Sequence, residues 1–329
     1  MQRRAFLTLL GGATVAWSVS ANGQQTERVR RIGVLTSSAE SDQEGQSSVE
    51  VFREELRNLG WMEGRNSEID IRWAAADVEL MKRFAKELVT LQPDLILTSS
   101  TAATAAMLQQ THTIPIIFVL VADPVGSGFV ASLAQPGGNI TGISLGEFSL
   151  GGKTLEVLKE MAPQLKQVAV LMNIEQPPHV AMWSTIRAAA ASIGMRVTAM
   201  DVQDPAEIER AIADFSREPS GGLIVLPGPA TSANRDLIIG LAARHRLLAA
   251  YAYPSVVRAG GLMSYGVDPA DQSVQAADYI DRILRGEKPG DLPVQQPTKY
   301  GLVVNVKTAK ALGLAISESF LMRADELIE

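Results

Sequence analysis

From Arg31 onward the chain alternates short apolar runs with segments of helical period, and it does so in two consecutive sets. The first set places strands at 31–36, 68–74, 94–98, 114–121 and 139–145, with helices at 49–59, 78–91, 101–110 and 127–133 between them. The second places strands at 167–173, 196–201, 222–226 and 247–252, with helices at 151–161, 179–193, 205–215 and 234–245. Strands separated by helices cannot pair as hairpins, so they form β-α-β units and parallel sheets covered by helices on both faces. The expected fold is α/β: two doubly wound parallel-sheet lobes.

The remaining residues suggest how the lobes are joined. A strand at 261–267, a helix at 273–284 and an extended stretch at 292–306 follow the second set. A chain that builds one lobe, crosses, builds another and crosses back leaves three connecting strands, placed here at 142–146, 264–267 and 292–300. The expected division is 29–143 plus 265–291 for one lobe and 144–264 plus 292–329 for the other.

Arg3 and Arg4 precede a mostly apolar run from Ala5 to Val19, followed by small residues at Ala21 and Gly23. That run is shorter than the roughly 20 residues a membrane-spanning helix requires. It fits an export signal over 1–23 with a twin-arginine-like start, the other reading being an uncleaved anchor. The expected location is the periplasm, with the chain soluble after cleavage. The 329 residues contain no cysteine, which excludes disulfide scaffolds, zinc fingers, iron–sulfur centres, thiol enzymes and a lipid anchor through cysteine. A formal net charge of -6 offers no basic surface for nucleic acid.

No catalytic or nucleotide motif stands up. Five residues separate Gly146 from Gly152-Lys153-Thr154, one more than a phosphate loop has, and Glu147 among them would repel phosphate. Gly126-Ser127-Gly128 lacks the third glycine of a dinucleotide fingerprint. His112, His179 and His245 are far apart and form no metal-binding or triad spacing. The chain is expected to be no enzyme, to need no cofactor and to hold no metal.

The strand ends carry the chemistry instead, because open parallel sheets bind ligands beyond the carboxyl ends of their strands. Ser38 follows the first strand, and Ser99, Ser100 and Thr101 lie where the third strand enters a helix whose free amides suit an anionic group. Plain helix capping is the competing role for these hydroxyls. Asp123 can accept a ligand ammonium or hydroxyl, or cap the next helix. Asn173 ends a strand of the second set. Tyr253 and Tyr265, each an apolar ring with a polar tip, lie where the chain nears the cleft, with ordinary packing as the alternative. Glu147 and Phe148 are further candidates beside the first crossing.

Five segments together resemble a known family: Arg31-Ile32-Gly33-Val34-Leu35, Asp123-Pro124-Val125-Gly126-Ser127-Gly128, Gln135-Pro136-Gly137-Gly138-Asn139-Ile140-Thr141-Gly142, Gly260-Gly261-Leu262-Met263-Ser264-Tyr265-Gly266 and Leu292-Pro293-Val294-Gln295-Gln296-Pro297-Thr298-Lys299. From about residue 29 to the C-terminus the chain is similar to ABC-transporter substrate-binding proteins with tryptophan- and tyrosine-linked members, within the type I periplasmic binding fold. The resemblance implies two lobes on three hinge strands, a small molecule such as an amino acid or small carboxylate held between them, and delivery to an ABC permease in the inner membrane. A monomer that closes on its solute is expected, with Ser38, Ser99, Ser100 and Asp123 on one lobe and Asn173 and the Tyr253 region on the other. Two other readings share the fold: a ligand-sensing module for a membrane receptor, and an exported Rossmann-like enzyme working through Asp123 and Glu147.

Overall fold

The computed structural model describes residues 28–146, 149–217, 221–297 and 300–329. The expected export signal at 1–23 lies outside the described residues, as do Glu147 and Phe148. The chain runs β1 (Arg30–Thr36), α1 (Gln43–Asn58), β2 (Ser67–Trp73), α2 (Val78–Thr90), β3 (Leu95–Ser99), α3 (Thr101–Leu108), β4 (Ile116–Val121) and β5 (Ile140–Ser144). It continues through α4 (Leu150–Met161), β6 (Gln167–Met172), α5 (Pro177–Ser192), β7 (Arg196–Asp201), α6 (Pro205–Phe215), β8 (Gly221–Val225), α7 (Pro229–Ala233), α8 (Arg235–Arg244), β9 (Leu248–Tyr251) and α9 (Pro254–Arg258). It closes with β10 (Met263–Gly266), α10 (Pro269–Leu284), a 3-10 turn at Pro289–Asp291, β11 (Gly301–Asn305), α11 (Val306–Ala311), α12 (Glu318–Leu321) and β12 (Glu326–Ile328).

The first sheet has the order β2-β1-β3-β4-β5 and its pairs are parallel. The second has the order β12-β11-β10-β9-β8-β6-β7, with β10 and β11 antiparallel. Both are α/β sandwiches. Phe52 and Leu56 of α1 and Tyr279 and Ile280 of α10 cover one face of the first sheet, while Met81 and Leu88 of α2 and Met107 of α3 cover the other. Strands buried on both faces must be apolar throughout, which is why β4 reads Ile-Ile-Phe-Val-Leu-Val.

The crossings follow from this packing. β10 belongs to the second sheet, yet α10, which follows it directly, packs on the first beside α1. Leu292 and Val294 are buried against the first sheet, and Gln295 pairs with Ile143 before the chain leaves for β11. The lobe changes therefore fall after β5, at Val267–Asp268 and after Gln295. The second and third come a few residues later than the expected 265 and 292, because a strand stays in its sheet until its last ladder bond.

Two local expectations are corrected. α1 begins at Gln43, not at 49, because the Asp42 carboxylate accepts the Glu44 N–H and starts the helix early. Residues 127–133 form no helix: Asp123 Oδ1 accepts the Gly126 N–H at 2.7 Å, Gly128 has φ +71°, and the Phe129 N–H returns to Pro124 O. Two glycines and an Asx turn favour loop geometry over a helix here. Gly151 and Gly152, by contrast, are inside α4. A Cβ on Gly152 would lie 3.1 Å from Thr185 O of α5, so the glycines serve close helix contact, not phosphate.

Candidate functional site

The carboxyl ends of both sheets face each other across the crossings. In the first lobe Thr36 and Ser99 are register partners, and the Ser37 N–H donates to Ser99 O. Ser99 is half-buried. Ser100 has φ +111° while its Oγ accepts the Ala103 N–H at 3.2 Å, so the expected cap is real and is held at a strained backbone position. Thr101 opens α3 behind it. Ser38 donates its N–H to Thr36 Oγ1 and lies on Gly45 of α1, where a Cβ would stand 2.6 Å from Ser38 Cβ.

A single buried side chain positions the next strand end. Gln272 of α10 is 2% exposed; its Oε1 accepts the Leu120 N–H at 2.8 Å and its Nε2 donates to Ser144 O at 3.0 Å. Leu120 has φ +56° where the β4–β5 register shifts. Gln272 thereby fixes the bulge that sends Ala122 and Asp123 outward and ties it to the end of β5, beside Leu145 and Gly146.

Between these ends and the second lobe lies a cavity of about 60 Å³ with a mostly apolar wall. Ala122 and Leu145 close it from the first lobe; Gly146, Gly266 and Val267 of the crossings form its hinge side. From the second lobe come Leu150, Met182, Leu226, Tyr251, Tyr253 and Tyr265. Tyr253 and Tyr265 thus both line this wall. Burial, and then the nearby Glu44 and Asp42 carboxylates, hold the Tyr253 phenol far above its ordinary titration range, so it stays a neutral donor. Asn173 is elsewhere at this edge, its Oδ1 accepting the Glu175 N–H at 2.8 Å. Ser38, Ser99, Ser100, Thr101, Asp123 and Asn173 do not line the cavity itself.

Comparison with known proteins gives the arrangement its context. The profile of the family described as ABC transporter substrate binding protein matches residues 34–328. The chain belongs to this family. It is 29% identical over 271 residues to a protein named tyrosine-binding protein from Clostridioides difficile (strain R20291), covering 80% of this chain and 75% of that one. A crystal structure of a conserved domain protein from Vibrio cholerae superposes with a TM-score of 0.84 at 28% identity, covering 91% of this chain and all of that one. The ABC domain from Streptococcus pneumonia in complex with L-Trp superposes with a TM-score of 0.83 at 24% identity, covering 91% and 99%.

In this substrate-binding protein one histidine has a positional task that spacing did not reveal. His179 of α5 is 3% exposed; its Nδ1 accepts the Asn173 N–H at 2.9 Å and its Nε2 donates to Pro227 O at 3.0 Å. It therefore staples the strand ends after β6 and β8, and a Cβ on Gly228 would lie 3.0 Å from the ring. Burial holds its pKa below the ordinary 6.5, and both nitrogens are already committed, so no site is left for a second proton. A depressed histidine pKa gives stability that is complete above about 6.5 and is lost as pH falls through the folded value, because only the unfolded chain takes up the proton. We expect His179→Ala to cost about 2–4 kcal/mol. Its thermal midpoint should also fall less than the parent's between pH 7 and pH 5. An equal fall in both proteins would show that another group governs the acid limb.

Glu44, Gln272, Ala122, Leu145 and Met182 were not singled out by sequence. The last three read as ordinary core residues. The one available signal for Glu44 was an acid just after a polar strand end, hidden because the helix was expected to begin later. Among the described residues no group of three or more acidic or histidine side chains is placed to hold a metal, and no helix is long and apolar enough to cross a membrane.

Proposed function

We propose that the chain is the exported solute-binding component of an ABC importer, capturing an amino acid or small carboxylate between its lobes by hinge closure and presenting it, as a monomer, to an inner-membrane permease. The observation that carries this reading is the cavity walled by both lobes and by their crossings. A molecule seated there touches both lobes only when they are closed, and it shifts the equilibrium by its difference in affinity between closed and open forms. Tyr253 and Tyr265 supply ring faces with polar tips at its wall. The relatives named for tyrosine and bound to L-Trp make aromatic amino acids the first probes.

Calorimetric titration of the purified mature protein with the twenty amino acids and a set of small carboxylates tests this, with small-angle scattering alongside. The expected result is one class binding at micromolar strength or better, accompanied by a smaller radius of gyration. No binding across the whole panel would overturn the reading.

A further inference from the structure

Leu120 has a backbone conformation that a leucine keeps only when its surroundings hold it there. Its φ is +56°, in the left-handed region, where the β4–β5 register shifts between Phe118 and Val121. Two residues later Ala122 reaches the cavity. The restraint is the Gln272 side chain of α10, whose Oε1 accepts the Leu120 N–H while its Nε2 donates to Ser144 O. Between these two bonds the Leu145 N–H donates to Val121 O at 2.8 Å. Each of the two first-lobe residues that close the cavity, Ala122 and Leu145, thus lies within two positions of a backbone group held by this one amide.

Gln272 also stands close to all three crossings. It follows Asp268, where the second crossing enters α10, by four residues. Ser144, whose carbonyl it holds, ends β5 at the first crossing. The Ser144 N–H in turn donates to Gln295 O at 2.9 Å, on the stretch that leaves by the third. Gln272 is buried, so solvent cannot take over either bond when its amide is removed.

Building on the solute-binding reading above, we infer that Gln272 is a positioning residue for capture: it keeps the Ala122 and Leu145 wall preformed and joins it to the first-lobe ends of the crossings as one unit. The closing rotation is thereby confined to residues beyond this clamp, past Leu145, at Val267–Asp268 and past Gln295. A solute then meets the wall without having to order it first. Gln272 does not line the cavity itself; it acts through Ala122 and Leu145.

The test titrates L-tyrosine and L-tryptophan by calorimetry into the mature protein and into Gln272→Met, an apolar side chain of similar volume that removes both bonds. If neither binds the parent, the tightest ligand among the other amino acids and small carboxylates takes their place. Tyr279→Phe is the control on the same helix: it removes the bonds to Pro293 O and from Gln295 Nε2, neither of which holds the wall. Both variants should melt below the parent by circular dichroism. Only Gln272→Met should bind more weakly, by about 10-fold or more, the scale of ordering two residues on binding. Hydrogen exchange of the free parent gives a reading that needs no variant: peptides over 118–123 and 142–146 should be protected before any ligand is added. Exchange there as fast as in exposed loops, parental affinity in Gln272→Met, or an equal loss of affinity in Tyr279→Phe overturns this inference and leaves the solute-binding reading intact. A parent that binds no amino acid and no small carboxylate overturns both.

Discussion

Gly142→Val should leave little folded protein, with a loss of about 4 kcal/mol or more in any fraction that folds. A Cβ at this position would run into Phe118 O and would lie 2.6 Å from Phe118 N and 2.7 Å from Phe118 Cγ. Two of the three obstacles are backbone of the paired strand β4, which cannot rotate out of the way as the end of a side chain can. Relief requires β4 and β5 to separate. Gly142 O also accepts the Gln295 N–H at 2.9 Å, and Thr141 Oγ1 donates to Leu292 O at 2.6 Å, so separation would loosen the returning crossing as well. Denaturant unfolding of purified protein, or the soluble yield where none can be purified, reads the effect. A midpoint equal to the parent's would mean that the strand pair yields at no cost.

Ala122→Trp should abolish capture while leaving the fold standing. Ala122 is half-buried at the end of β4, where it meets the cavity from the first lobe. An indole on this strand end takes the space that a captured ligand would fill, so the two cannot share the closed cleft. The closed state would lose its favourable contacts, and binding should weaken by about 100-fold or more by calorimetry, a difference of about 2.7 kcal/mol. Its thermal midpoint should stay near the parent's, because the added ring projects toward the cleft and not into either core. Unchanged affinity would place the ligand outside this cavity.

The two effects separate scaffold from site, and they mark where sequence was readable. Alternating apolar runs and helical periods disclosed both sheets, because a strand buried on two faces has no freedom to be polar: Ile116, Ile117 and Phe118 are fully buried, and all three are apolar. Helix starts were less legible. Asp42 moves the start of α1 forward by a single carboxylate-to-amide bond. After Asp123 the sequence is deceptive, because Phe129, Val130 and Leu133 imitate helical spacing while the Asx turn at Gly126 and the positive φ of Gly128 favour a loop.

The candidate site was legible in part. Tyr253 and Tyr265 are aromatic residues near a crossing by sequence, and both line the cavity. Ser100 and Asp123 hold the local N–H bonds that their residue types also predict, so their hydroxyl and carboxylate chemistry alone could not distinguish a cap from a contact. Ala122, Leu145 and Met182 carried no signal, since an apolar wall of a cleft has the same composition as a core.

By itself the sequence determined the class of architecture, α/β with two parallel-dominated sheets, and the absence of thiol chemistry. These depend on local periodicity and on counts, which each segment carries within itself. Only the tertiary structure decided which side chains share the cleft. Ala122, Leu145, Met182 and Tyr253 come from separate stretches of chain and meet only where the two lobes approach each other. Their meeting belongs to the space between the lobes, and no single segment encodes it.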